Sequence, residues 1–189
     1  IRQGIVYSMN ILAVRCLVED VTPELAYRYV ENFGINTLIP KTDDNSRSGQ
    51  HDVRATIALG GISQGVTNMQ LTGAYAAIAN GGTLMKPYMI DHVENVGGQT
   101  VKKFLPSAYG TLMSANDAQF LTHLMSQVVE IGTGSAMRGT SYTVAGKTGS
   151  AEFETGKETH SWFVGFAPAD KPKVAICVLA EESGSGGAV

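Results

Sequence analysis

Three apolar runs in the last third of the chain are joined by turns too short to let the backbone cross over. Ser141 to Phe153, His160 to Ala167 and Lys173 to Glu181 are the runs, and the last two are rich in Val, Ile, Phe and Ala, as half-buried strands are. Thr155-Gly156 and Ala169-Asp170-Lys171-Pro172 turn the chain between them. A parallel neighbour needs a crossover of about a dozen residues or more. The three runs are therefore predicted to form an antiparallel meander.

The sequence before the meander has a different period. Ile11, Leu12, Val14, Arg15 and Val18 follow an amphipathic helical stripe. Thr22-Pro23-Glu24-Leu25 is a strong helix start, with a capping hydroxyl, a proline suited to the first turn and an acid at the positive end of the dipole. Leu25, Tyr29, Val30 and Phe33 share its expected buried face, and Gly34 stops it. Residues 40–54, with Asp43, Asp44, Asn45, Ser46 and Ser48, read as a polar surface loop. A third helix starts near Asn68, its stripe being Leu71, Ala74, Tyr75 and Ile78, and Gly81-Gly82 ends it. Tyr88 to Val96 and Gln99 to Leu105 flank Gly97-Gly98, a hairpin turn signal. A fourth helix is capped by Ser114, carries Phe120, Leu121, Leu124, Met125 and Val128 on its buried face, and ends at Gly132.

Helices followed by a meander make the α+β class. The expected division is a mainly helical part over residues 1–140, with its small hairpin at 88–105, and antiparallel strands over 141–182. With 189 residues, 43% hydrophobic and 16% charged, the chain has the composition of one globular domain. The formal charge of −3 lacks the basic excess of a nucleic-acid scaffold, so no nucleic-acid partner is expected. No apolar run approaches the roughly 20 residues of a membrane span. Cys16 and Cys177 lack metal spacing and are expected to be small buried residues. The chain opens on Ile1 without a signal peptide and stops soon after its last strand in a glycine-rich tail. It reads as a segment of a longer protein.

Two places stand out chemically. Ala145-Gly146-Lys147-Thr148-Gly149-Ser150 puts a cation between glycines inside a strand. Glycine there weakens a strand and often marks close approach of a ligand; Lys147 would point into that cleft with the Thr148 hydroxyl beside it. Ser8-Met9-Asn10, just before the first helical stripe, offers a hydroxyl and an amide. Each has a plainer account: a strand lysine reaching water, and a helix cap.

Taken together, Ser8-Met9-Asn10 and Lys147-Thr148-Gly149 resemble two of the three motifs of the penicilloyl-serine transferases, Ser-x-Asn and Lys-Thr-Gly, the third being Ser-x-x-Lys. The stretch from Leu59 through Gly65 to Ala74-Tyr75-Ala76-Ala77-Ile78-Ala79-Asn80-Gly81-Gly82 resembles the glycine-rich turn and alanine-rich helix of penicillin-binding proteins. Ser161-Trp162-Phe163-Val164-Gly165-Phe166-Ala167-Pro168 and Val174 to Glu181 resemble the strands after Lys-Thr-Gly in transpeptidases. The Leu59 to Gly82 region leans towards bifunctional glycosyltransferase-transpeptidases, and the Trp162 strand towards monofunctional ones.

The sequence departs from that family in one respect. No serine here is followed three positions on by lysine, so the nucleophile and its lysine base are absent and would lie upstream of Ile1. The resemblance implies a five-stranded sheet to which this chain contributes three strands. It implies acyl transfer through a serine ester in the intact parent, with D-Ala-D-Ala stem peptides as substrate, β-lactams as mimics, and no cofactor or metal. In that scheme Ser8 relays a proton towards the leaving amine, Asn10 holds the substrate amide or the catalytic lysine, and Lys147 supplies positive potential. Thr148 binds the substrate carboxylate beside Gly149, and the Ser150 N–H serves the oxyanion hole. The segment alone is expected to be inactive. Its partner would be the missing N-terminal part, possibly as a separate chain, at the outer face of the bacterial cytoplasmic membrane. A serine β-lactamase and a β-lactam sensor domain are the alternatives of the same fold. His160, at a turn end beside the cleft strand, reads as structural; His51, His92 and His123 are scattered without metal-ligand spacing, and Asp43-Asp44-Asn45 lacks the rest of a calcium loop.

Overall fold

The computed structural model describes residues 1–42, 44, 48–153 and 156–184. Asp43, Asn45, Ser46, Thr155 and the tail from Ser185, which the sequence assigned to loops and turns, lie outside the described residues.

The fold is α+β. Two short helices open it, α1 (Arg2–Val6) and α2 (Asn10–Cys16), followed by a π-helical turn, Leu17–Val21. In α3 (Pro23–Asn32), Thr22 accepts from the Leu25 N–H and Pro23 fills the first turn, as capping chemistry requires. A 3₁₀ turn, Ala55–Leu59, precedes α4 (Asn68–Ala79). There Thr67 and Gln70 cap each other reciprocally, satisfying two of the orphan donors at the helix start. In α5 (Ala115–Glu130), Ser114 accepts from the Asp117 N–H at 3.1 Å.

Four short strands lie between α4 and α5. β1 (Thr83–Met85) pairs with β4 (Ala108–Thr111), and β2 (His92–Glu94) with β3 (Thr100–Lys103), all antiparallel. The hairpin turning at Gly97-Gly98 is thus shorter than its apolar residues suggested and wholly exposed. The C-terminal sheet is the expected meander. β5 (Ala145–Ala151), β6 (His160–Ala167) and β7 (Val174–Ala180) lie in that order, with Lys147 opposite Val164 and Val164 opposite Cys177.

Successive strand residues face opposite sides, which gives this sheet two unlike faces. On one, Ala145, Phe166 and Met125 of α5 form a buried cluster with Tyr75, Ile78 and Ala79 of α4 and Ala175 of β7. Lys147 belongs to that helix-covered side. On the other, Val174, Ile176 and Val178 are 59%, 42% and 51% exposed, and Gly146, Thr148 and Phe163 share their side.

Several expectations need correction. The stripes of α2 and α3 are amphipathic but scarcely buried: Ile11, Leu12, Val18, Leu25 and Tyr29 are exposed, and α3 buries nothing. Phe120 likewise points to solvent, whereas Leu124, Met125 and Val128 of the same helix are buried. Cys16 and Cys177 are only partly buried. The polar segment 40–54 is not all surface: Asp52 is 0% exposed and accepts from the Ile39 N–H, the Ser63 N–H and the Ser63 hydroxyl. Among the described residues no helix is long and apolar enough to cross a membrane.

Candidate functional site

Ser8 sits in the turn that ends α1. The Met9 N–H donates to the Gly4 carbonyl at 2.8 Å and the Ser8 N–H to the Ile5 carbonyl at 3.3 Å. This is the paired pattern of a Schellman turn, whose residue just past the helix is left-handed and usually glycine. Ser8 occupies that position at φ +52°. A side chain there is strained, and such strain tends to persist where a side chain has a task. The simple cap account of Ser8 fails: the N-cap of α2 is Met9, and no side chain caps that helix.

The Ser8 side chain has its partner across the site. Lys147 Nζ donates to Ser8 Oγ at 2.7 Å and to the carbonyl oxygen of Thr148 at 2.8 Å. β5 thus brings its lysine to the α1–α2 turn, on the side of the sheet that the helices cover. Burial holds the Lys147 ammonium below its ordinary pKa of 10.5, because a charge leaving water is disfavoured. The plain account of a strand lysine reaching water fails as well. Asn10 opens α2, exposed, two residues beyond Ser8.

The rest of the motif separates by the strand pleat. Thr148 points away from Lys147, and its Oγ1 lies 2.7 Å from Thr133 Oγ1 in the turn after α5; its hydroxyl is thus not beside the lysine side chain. Gly146 makes room for packing: a Cβ there would stand 2.5 Å from the Phe163 ring. Gly149 pairs with Trp162, and the exposed Ser150 with Ser161. β5 is an edge strand, so one side of its backbone turns away from β6. His160 is structural: its Nδ1 accepts from the Glu182 N–H and its ring stacks on Phe153.

Sequence inspection missed Thr133. Gly132 was noted only as a helix stop, and a polar residue flanked by glycines gives no sign of a contact with a strand residue fifteen positions on. Among the described residues no group of three His, Cys, Asp or Glu side chains is placed to hold a metal.

Comparison with known proteins identifies the family and the fold. The family model for the penicillin-binding protein transpeptidase domain matches residues 1–189. The chain is 36% identical over 181 residues to stage V sporulation protein D of Bacillus subtilis, covering 87% of this chain and 28% of that protein. It is 31% identical over 163 residues to the peptidoglycan D,D-transpeptidase PbpA of Mycolicibacterium smegmatis, covering 80% of this chain and 33% of that one. It therefore spans a third or less of these curated relatives. Among solved structures, it superposes with a TM-score of 0.81 and 28% identity on the D,D-transpeptidase domain of a peptidoglycan glycosyltransferase from Eggerthella lenta, covering 99% of this chain and 50% of that one. Penicillin-binding protein A of M. tuberculosis, solved as a ceftriaxone acyl-enzyme, gives 0.81 at 25% identity, with 99% and 45% covered. The chain belongs to the penicillin-binding protein transpeptidase family.

Proposed function

We propose that this chain supplies the Ser-x-Asn and Lys-Thr-Gly parts of a peptidoglycan D,D-transpeptidase site, and that a Ser-x-x-Lys segment outside these residues supplies the nucleophile. The observation that carries this reading is the Lys147–Ser8 hydrogen bond.

The chemistry follows from that bond. Ser8 Oγ accepts the proton of Lys147, which leaves its own proton free to donate outward. The nucleophilic serine gives its proton to the lysine of its own Ser-x-x-Lys segment and attacks the carbonyl carbon between the two D-Ala residues of a stem peptide. A C–O bond forms, the C–N bond breaks, and the departing amine needs a proton. Ser8 is positioned to give it, and Lys147 replenishes Ser8. The lowered pKa of Lys147 makes its ammonium a better acid for this step. A second stem-peptide amine then attacks the ester and forms the cross-link; its proton returns through Ser8 to Lys147, and the lysine of the nucleophile segment returns the first proton to the serine. Asn10 orients the substrate amide or the lysine of the nucleophile segment. Thr148 binds the terminal carboxylate beside Gly149, and the Ser150 N–H at the β5 edge stabilises the oxyanion. A β-lactam enters as a mimic of the dipeptide and stops at the ester. No cofactor is needed. The site works at the outer face of the cytoplasmic membrane, where peptidoglycan lies.

The test is acylation of the full-length protein by a fluorescent penicillin. Ser8→Ala and Lys147→Ala are each expected to slow it by about 10²-fold while the melting temperature holds. Wild-type rates in both folded variants would refute the assignment.

A further inference from the structure

The segment that carries Ser8 has little packing of its own. α1 has five residues and buries Val6 alone, and α2 buries none. Helices this short do not hold their position without tertiary contacts. Val6 is 1% exposed, and it rests on the turn after α5.

That turn fits α1 closely. The Val6 carbonyl is one of the last carbonyls of α1, which have no partner within the helix, and the Thr133 N–H donates to it at 3.3 Å. Gly132 lets the two backbones approach: a Cβ at Gly132 would stand 2.2 Å from the Val6 oxygen, 2.9 Å from Val6 Cγ1 and 3.0 Å from Val128 Cα. Arg2 Nε donates to Gln127 Oε1 at 2.7 Å, a second tie between α1 and α5. The same turn also touches the strand, through Thr133 Oγ1 and Thr148 Oγ1 at 2.7 Å. It therefore grips the chain two residues before Ser8 and one residue after Lys147.

We infer that Gly132 and Val6 are positioning residues, and that their backbone contact sets the Ser8–Lys147 distance from the end of α5. This inference rests on the reading of Ser8 given above. A Cβ at Gly132 pushes Val6 outward, and the displacement passes through the hydrogen-bonded turn to Ser8. Misplacement of a reacting group by about 1 Å costs on the order of 10²-fold in rate.

The test is stopped-flow acylation of the full-length protein by a chromogenic penicillin, which separates the rate at saturation from the half-saturating concentration. Gly132→Ala is expected to lower the saturating rate at least about tenfold, leaving the half-saturating concentration and the final labelled fraction unchanged. A merely structural role lowers the labelled fraction instead. Gly134→Ala, in the same turn, meets nothing nearer than 3.3 Å and is expected to keep the wild-type rate. A wild-type saturating rate in Gly132→Ala, or equal slowing in Gly134→Ala, overturns the inference. If Gly132→Ala does not fold, Val6→Ala serves: it keeps the carbonyl and loosens the seat, and it should label fully but more slowly. A wild-type rate there overturns the inference too. Ser8→Ala run alongside separates the two failures. If it is slow while Gly132→Ala is normal, only this inference falls. If Ser8→Ala is normal, the proposed function falls with it.

Discussion

The hydroxyl of Ser8 accepts a hydrogen bond from Lys147 Nζ at 2.7 Å across 139 positions of sequence. Each residue sits where it does at a cost, one in the backbone and one in the side chain. Ser8 takes a left-handed conformation that glycine adopts more readily, and Lys147 carries a charge into a half-buried site. Each cost is local, and the contact is what the two costs have in common.

Ser8→Gly separates the strain from the chemistry. Glycine relieves the left-handed conformation but gives the unfolded chain more freedom. Stability should stay level or rise by up to about 1 kcal/mol, while penicillin acylation of the full-length protein falls as in Ser8→Ala. Denaturant unfolding and acylation measured on the same preparation check both. A destabilised Ser8→Gly protein would mean that the side chain serves the fold.

Lys147 should leave a signature in the pH dependence of stability. Its folded pKa lies below the ordinary 10.5, so between the two values the unfolded chain binds more protons than the folded one. Stability then rises with pH through that window. The burial cost is fully present below the folded pKa and gone above 10.5. Lys147→Met lacks this slope. Wild type should gain on Lys147→Met in urea midpoint as pH rises from neutral towards 10.5; parallel profiles would show that the lysine is not held in a desolvated site.

Asp52 has the opposite dependence. Burial alone would raise its pKa, but hydrogen bonds from Ile39 and Ser63 and the nearby Arg54 charge outweigh that and hold it below the ordinary 3.8. Its contribution to stability is therefore complete above 3.8 and lost as pH falls through the folded value. Asp52→Ala leaves the Ile39 and Ser63 N–H groups without their acceptor. It should cost at least about 2 kcal/mol near neutral pH, and the gap to wild type should narrow in acid. Equal stability of the two proteins at pH 7 would remove Asp52 as the anchor of this segment.

What the sequence showed and what it hid divide along physical lines. α4, α5 and the three strands of the meander were legible because each couples a period to a cap or a short turn, and these are local signals. The apolar stripes of α2 and α3 gave the right helices but the wrong burial: periodicity says which residues share a face and cannot say whether anything covers it. β1 and β4 escaped because three or four residues, one of them Gly110, are too few to show alternation. Asp52 looked like any acid in a polar segment, since its partners Ile39 and Ser63 lie more than ten positions away on either side. Ser8 and Lys147 each stood out chemically, but they became specific only as a pair. Thr133 did not stand out at all, and Gly132 did so only as a helix stop, because what they do depends on an approach of two backbones that no local pattern encodes.

The bare side of the sheet gives the last prediction. Val174, Ile176 and Val178 line it, more than two-fifths exposed, and β7 has no strand partner on its far edge among the described residues. A free edge beside an apolar strip is a template for pairing, and contiguous apolar patches are uncommon on soluble monomers. The 189-residue chain by itself should therefore self-associate as its concentration rises, with β7 as the pairing edge. Because it has no Ser-x-x-Lys, it should also take up no stoichiometric penicillin adduct in any state of association. Light scattering and mass spectrometry read the two outcomes. Ile176→Lys places a charge in the middle of the strip at a partly exposed site, so it should cost little stability and shift the chain towards monomer. A wild-type chain that stays monomeric at high concentration would show that this side tolerates water, and a hydroxylamine-sensitive penicillin adduct would show that the nucleophile lies within these residues.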